Sequence, residues 1–438
     1  MINLINFFSQ TALFVYALII FLILAVICFL LFYKNIKEDS TVLIKASKKE
    51  KRDLIDFSEG LGADALNQKN KKEGQRFSDL IVFDEQNLNA PPESFDEVSS
   101  LKKFSEDFRN FCATYAEDKK LYYTESDIRS FISNLATSHI MILQGMSGTG
   151  KTSIATAFQK FIENTKGVDV IPIQPMWKER SDLLGYYNEF TKKFNETQLL
   201  KELYLATYSD KMFIIVLDEM NIARVEYYFA EFLSMLELNV ADRKIEITND
   251  HWDKDPAHII DGKLKVLENV YFLGTANNDE STFSISDKVY DRAMVINLDK
   301  RAEPFNGVKV APCKISNTNF MKLTKNAVET YSNTEYEIVD GWVNDINVLL
   351  NQYFGVNFGN RMVVQIKQFV PVYVACGGTK EEAFDDFVSK KILRKLEAKD
   401  PYRVNNSLED FIKDLDIKFG RENLKLCREV LSKYRIGR

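Results

Sequence analysis

From Thr11 to Tyr33 the chain reads TALFVYALIIFLILAVICFLLFY, an apolar run without a polar stripe, and the residues before it also lack charged side chains. As a helix this run reaches about 34 Å at ~1.5 Å per residue, enough to cross a hydrocarbon core of about 30 Å. The pattern predicts a transmembrane anchor over residues 1–33. From 34 to 100 the chain turns to Lys, Glu, Asp, Asn and Gln with no sustained apolar period, which predicts a flexible charged linker. Periodicity returns at Leu101, Phe104, Phe108, Phe111 and Tyr115, the three- and four-residue steps of an amphipathic helix. TESD opens another, with Thr124 as cap and Asp127 three residues on. HIMIL is a buried strand, a glycine-rich stretch follows, and TSIATAFQKFIENTKG continues as helix. MFIIVLDEMN and NVYFLGTANNDE are two further buried strands, the second expected to lie between the other two. From 304 onward the pattern is mostly helical, with Phe384, Phe387, Val388, Ile392 and Leu393 on one side of a segment.

Composition narrows the classes. At 438 residues the chain suits two or three units. A net charge of -6 argues against a protein coated in positive charge for nucleic acid, though not against a local basic groove. Five cysteines are scattered with no Cys-x-x-Cys pair, and three histidines lie far apart, so reduced thiols are expected rather than a metal site. Lys34, Lys37, Lys45, Lys48, Lys49, Lys51 and Arg52 follow the apolar run and nothing basic but the α-amino group precedes it. Positive charge stays on the cytoplasmic side. The expected topology is therefore single-pass, with the bulk of the chain cytoplasmic.

Between strand and helix stands GMSGTGKT: Gly145, Met146, Ser147, Gly148, Thr149, Gly150, Lys151 and Thr152. Glycines let backbone N–H groups approach phosphates, and the helix N-terminus adds positive potential. Lys151 is expected on the β- and γ-phosphates, and the Thr152 hydroxyl on Mg²⁺. The second strand ends in Asp218 and Glu219, which would hold the Mg²⁺ and polarise an attacking water, respectively. Asn277, on the third strand, is expected near the γ-phosphate. Arg292, on a short polar stretch, is a candidate arginine finger, the charge that ring ATPases supply from a neighbouring subunit.

With these residues the chain resembles the McrB-like group of AAA+ ATPases, within the wider clade that includes MoxR-type ATPases. The matching text is LQGMSGTGKTSIA, PMWKERSDLLGYYNEFTKKFNET, LDEMNIARVEYYFAEFLSMLE, GTANNDESTFSISDKVYDRA and FGNRMVVQIKQFV, over about Leu121 to Leu396. The resemblance implies an α/β fold: a P-loop AAA+ parallel-sheet core over 101–303 and a helical lid with C-terminal extension over 304–438. It implies Walker A at Gly145–Thr152, Walker B at Asp218 and Glu219, Asn277 as sensor 1, Arg292 as the trans-acting finger and Arg361 as the sensor-2 arginine of the lid. Asn221 and Arg224 fall where the family often uses Asn and Arg at the subunit interface. Trp177, Tyr186 and Tyr187 lie where such rings often place pore-facing residues, or else pack that interface. The family's DNA-restricting GTPases carry Asn-Thr-Ala-Asp near sensor 1, whereas this chain reads TANNDES, so ATP is expected, with GTP as the alternative. Those members place a modified-base-reading domain where this chain has a span and tether, which leaves direct nucleic-acid contact open. The implied function is a membrane-anchored, ring-forming (hexameric) ATPase of bacterial anti-phage defence or restriction, driving a McrC-like nuclease or other effector subunit. The alternative is a MoxR-like chaperone that remodels membrane or envelope proteins.

Overall fold

Short apolar strands and amphipathic helices alternate through the middle of the chain, and the computed structural model describes them over residues 75–116, 120–162, 170–277 and 282–435. In chain order the described strands are β1 (Ile140–Gly145), β2 (Val170–Pro172), β3 (Gly185–Asn188), β4 (Lys193–Glu196), β5 (Phe213–Asp218), β6 (Lys244–Glu246), β7 (Ile259–Ile260), β8 (Lys263–Lys265), β9 (Val270–Asn277) and β10 (Met294–Asn297). The described helices are α1 (Asp79–Asn87), α2 (Leu101–Ala113), α3 (Glu125–Thr137), α4 (Lys151–Phe161), α5 (Arg180–Leu184), α6 (Gln198–Leu205), α7 (Val225–Tyr228), α8 (Ala230–Met235), α9 (Asp287–Tyr290), α10 (Asn317–Thr330), α11 (Asn333–Phe354), α12 (Asn360–Ala375), α13 (Lys380–Phe387), α14 (Pro401–Phe419) and α15 (Lys425–Ser432).

The main sheet runs β10-β1-β9-β5-β2, and every pairing is parallel. The third apolar strand, β9, lies between β1 and β5, as its pattern led us to expect. Side chains alternate across the sheet because the strand period is two. Ile140 and Ile142 point into one core with α6, α7 and α8, while Met141 and Leu143 point into the other with α2, α3 and α4. The second core is dominated by rings: Phe108 sits 5.1 Å from Phe158 and 5.7 Å from Phe131. Each such buried ring contributes roughly 1.5–3 kcal/mol. Thr124 and Asp127 form the expected capping box at the start of α3. Cys112, Cys376 and Cys427 are buried free thiols.

A third core belongs to the helices after the sheet, where Val339, Ile346, Ile366, Phe369, Phe387 and Leu408 pack together. Pro371 lies inside α12 and removes the N–H that would bond the carbonyl four residues back. That carbonyl, on Lys367, instead accepts the Tyr336 hydroxyl at 3.4 Å.

Two expected boundaries move. The linker does not extend to residue 100: from Gln75 the chain belongs to the folded unit. Arg76 and Phe77 are buried; Arg76 pairs with Asp250 at 2.5 Å and Asp255 at 2.6 Å, and Phe77 stacks on Phe194 at 4.9 Å. Further along, Glu93 pairs with Lys211 at 2.7 Å and Lys314 at 3.0 Å. Polar sequence here forms a strap held by ion pairs, which an apolar-period reading does not detect. Helix also does not resume at 304; residues 298–316 cross the domain without helix, and α10 starts at Asn317. The expected membrane span and the first part of the tether fall on residues 1–74, outside the described residues. Among the described residues no helix is long and apolar enough to cross a membrane.

Candidate nucleotide site

β1 delivers the chain to Gly145, the loop turns through Gly148 and Gly150, and α4 begins at Lys151. Gly150 precedes the helix at φ 95°, a left-handed conformation that favours glycine. At Gly145 the constraint is space, since a Cβ would lie 2.6 Å from the Leu298 carbonyl oxygen. Lys151 is buried, and its ammonium donates to the carbonyls of Gly145 at 2.9 Å and Met146 at 2.7 Å. Met146, Ser147, Gly148 and Thr149 form the loop, and Thr149 donates to the Met146 carbonyl at 2.9 Å. Tyr123 braces the far end, donating to the Gly150 carbonyl at 2.9 Å.

The neighbouring strand ends complete the site. Thr152 Oγ1 donates to Asp218 Oδ1 at 2.8 Å, and Thr275 Oγ1 donates to the same oxygen at 2.7 Å. Thr275 in turn accepts the Glu219 N–H at 2.8 Å. Glu219 has φ 52°, ψ 46°, left-handed for a residue with a Cβ and costing about 1–3 kcal/mol. The kink takes Glu219 off the line of β5 and leaves it exposed. Asn277, paired in register with Gly145, lies with Nδ2 3.5 Å from Glu219 Oε1. Asn221 fastens the two strand ends from beneath, donating to the Asn277 carbonyl at 2.8 Å and accepting the Asn277 N–H at 3.3 Å.

The donor set fits a magnesium–triphosphate. The hydroxyl of Thr152 and the carboxylate of Asp218 are hard oxygens side by side, and Mg²⁺ is commonly held by one or two protein oxygens with phosphates and water completing its shell. Among the described residues no group of three His, Cys, Asp or Glu could hold a metal by itself.

Arg292, expected to act across a subunit contact, and Arg361, expected as the sensor-2 arginine of the lid, meet at Glu237 rather than at the glycine loop. Arg292 lies just before β10 and Arg361 in the first turn of α12, and both reach Glu237. The register pairs Met141 with Met294, which sets Arg292 level with His139 just before β1. Gly145 is six residues further on, about 20 Å at ~3.3 Å per residue. That is beyond the reach of an arginine side chain, so Arg292 does not attend the P-loop of its own chain, and Arg361 shares its partner Glu237. Sequence spacing missed Arg394, the lid arginine that does touch the P-loop strand. It stacks 3.0 Å from the centre of the Tyr290 ring and donates to Gln144 at 3.3 Å. Burial pushes the Tyr290 hydroxyl up to about 12.

Arg224 lies over the Phe283 ring at 4.9 Å, and Phe283 is joined through its carbonyl to Asn221 at 3.2 Å. Of the aromatic candidates, Trp177 packs edge-on to Tyr228 at 6.0 Å and Tyr187 to Trp252 at 5.7 Å. Tyr186 is half exposed, and at the tip of the β3–β4 hairpin Phe190 is 99% exposed.

Residues 140–293 match the family described as AAA domain (dynein-related subfamily), and the parallel α/β sheet with its glycine loop is consistent with a core of that kind. Residues 309–435 match a domain of unknown function, DUF8727. The chain is similar to the type IV methyl-directed restriction enzyme EcoKMcrB subunit of Escherichia coli (strain K12), 23% identical over 177 residues. That match covers 38% of this chain and 36% of the relative, so it spans about a third of the relative's length. Among solved structures it is similar to a full-length MCM homolog from Methanopyrus kandleri, at 10% identity and a TM-score of 0.38, over 68% of this chain and 62% of that one. A score that low adds no argument.

Proposed function

We infer that the chain is a Mg²⁺-dependent nucleoside triphosphatase, acting on ATP with GTP as the alternative, and that it hydrolyses at contacts between copies in a ring. The carrying observation is the chain of bonds from Thr152 through Asp218 and Thr275 to the Glu219 backbone, which ties metal ligand and base into one rigid unit. Lys151 neutralises the β- and γ-phosphates, the Gly145–Gly150 amides cradle them, and Glu219 orients and deprotonates the attacking water beside Asn277. Thr152 and Asp218 would hold magnesium, which when bound would supply Lewis-acid stabilisation of charge on the phosphates. Arg292, too far from the P-loop of its own chain, and Arg361, which shares its partner Glu237, serve the triphosphate of a neighbour.

The reading extends to a membrane-tethered machine driving an effector in anti-phage defence, supported by the apolar run before Lys34 and the likeness to a restriction-enzyme subunit. The exposed Phe190 hairpin supports the second reading, remodelling of polypeptides in the membrane or envelope, because a projecting aromatic can grip an extended chain.

Lys151→Ala is expected to weaken ATP binding at least 100-fold in equilibrium titration; retained tight binding removes the P-loop assignment. Glu219→Gln should bind ATP normally and lose roughly 10²–10⁴ in phosphate release. An active Glu219→Gln chain would mean that the base lies elsewhere.

A further inference from the structure

Arg292 and Arg361 come from different elements yet end on one carboxylate. The Arg292 Nε lies 2.9 Å from Glu237 Oε1, and a second Arg292 nitrogen donates to Oε2 at 3.1 Å. Arg361 closes on Oε1 from its own side. The backbone around Arg292 is fixed. Lys391 donates to the carbonyls of Tyr290 at 2.7 Å, Asp291 at 3.2 Å and Ala293, and Ser138 donates to the Arg292 carbonyl at 3.0 Å. The guanidinium end keeps one local bond, from Nη1 to the Lys288 carbonyl at 2.8 Å, and its other two nitrogens face Glu237.

The pair lines a cavity of about 530 Å³ that also reaches Arg243 and Glu268. Three guanidinium groups there face two carboxylates, an excess of one positive charge. Arg243 is 8% exposed, and its Nη1 finds no hydrogen-bond partner among the described residues. A buried cationic donor left unmet is costly until an acceptor arrives. The net charge of that lining favours an anion, and Glu237 is one of the two carboxylates already there.

We propose that Glu237 is an internal stand-in for the terminal phosphate of a triphosphate held by a second copy of this chain, a latch that keeps Arg292 and Arg361 together until that phosphate displaces it. This rests on the inter-subunit reading above. The exchange is one anion for another, with no bond made or broken. A terminal phosphate brings more charge than a carboxylate and three equatorial oxygens, enough to engage both guanidiniums. Half-exposed ion pairs are weak enough to be exchanged. A diphosphate offers no terminal group at that reach, so hydrolysis returns the arginines to Glu237 and loosens the contact between copies. The latch would make the joint between copies sense which nucleotide is bound.

The test uses the detergent-solubilised full chain, with Glu237→Gln and Glu237→Ala beside wild type and thermal melting to verify folding. In dilute nucleotide-free protein, phenylglyoxal modification of Arg292 and Arg361 is followed by peptide mass spectrometry against exposed Arg403. Both arginines should react several-fold faster in the variants while Arg403 does not change; unchanged rates overturn the latch whatever the hydrolysis does. The protein concentration giving half-maximal ATP hydrolysis should also fall roughly three- to tenfold, about what two half-exposed ion pairs are worth. A lower maximal rate with that concentration unmoved makes Glu237 a mere aligner of the finger, and likewise overturns the latch. Freed arginines with no hydrolysis by any chain at any concentration leave Glu237 a static ion-pair partner and overturn the latch together with the inter-subunit reading.

Discussion

Thr275 has 2% of its surface exposed, and its hydroxyl serves two partners: it donates to Asp218 and accepts the Glu219 N–H. Thr275→Val keeps the shape and leaves that N–H and carboxylate short of one bond each. The expected cost is about 1–3 kcal/mol in urea unfolding, with turnover falling tenfold or more while ATP binding persists. Unchanged turnover would show that Glu219 is positioned without it. A threonine in an apolar strand has no spacing that marks it, so pattern alone passed over it. Lys151, Thr152, Asp218, Glu219 and Asn277 were readable because each sits at a fixed offset from a glycine loop or a strand end. Arg361 was readable as a residue, but its place was not. Which face of the sheet the lid arginine attends depends on how the lid packs, and nothing local encodes that.

Among elements, β1, β5, β9 and the capping box of α3 followed from local pattern, since an apolar run and a capping box are decided within a few residues. The strap of residues 75–100 did not, because its partners, Asp250, Asp255, Lys211 and Lys314, lie more than a hundred residues away. The joint between lid and core is of the same kind. Lys391 is 4% exposed on the π turn Val388–Ile392 and binds three carbonyls around Arg292. Burial pulls its ammonium down to about 7, with Asp291 opposing and Arg361, Lys395 and Arg394 adding to the fall. Lys391→Met fills the space and frees those carbonyls. ATP binding at the P-loop should persist, while hydrolysis by assembled protein falls tenfold or more as Arg292 loses its fixed backbone. Equal loss of binding and hydrolysis would place the effect on global folding instead.

At the scale of the whole molecule, pH acts through groups whose surroundings oppose or demand charge. His139 stands just before β1, its ring stacked 5.1 Å from Tyr271 and its Nε2 sealed without a hydrogen-bond partner among the described residues. Burial, and then the nearby Arg243 charge, hold it down to about 3. In the unfolded chain its ordinary value is about 6.5. Between those values the unfolded chain binds the extra proton, so stability falls as pH drops from 6.5 towards 3, by up to about 1.4 kcal/mol per pH unit. Glu93 adds to the lower part of the same limb. Burial tends to raise its carboxyl, but bonds from Lys211, Ser209 and Lys314 prevail and bring it to about 2. Its contribution is complete above about 4.5 and lost as pH falls through 2. The two windows overlap, so acid unfolding should begin below pH 6.5 and steepen below 4.5. His139→Phe keeps an aromatic ring on Tyr271 and removes the titrating nitrogen. Circular dichroism across pH 3–7 should then show the acid midpoint moved to lower pH, with stability at pH 7.5 changed by less than about 1.5 kcal/mol. A midpoint that stays put would mean that carboxylates alone set the acid limit and that His139 is already protonated in the folded chain.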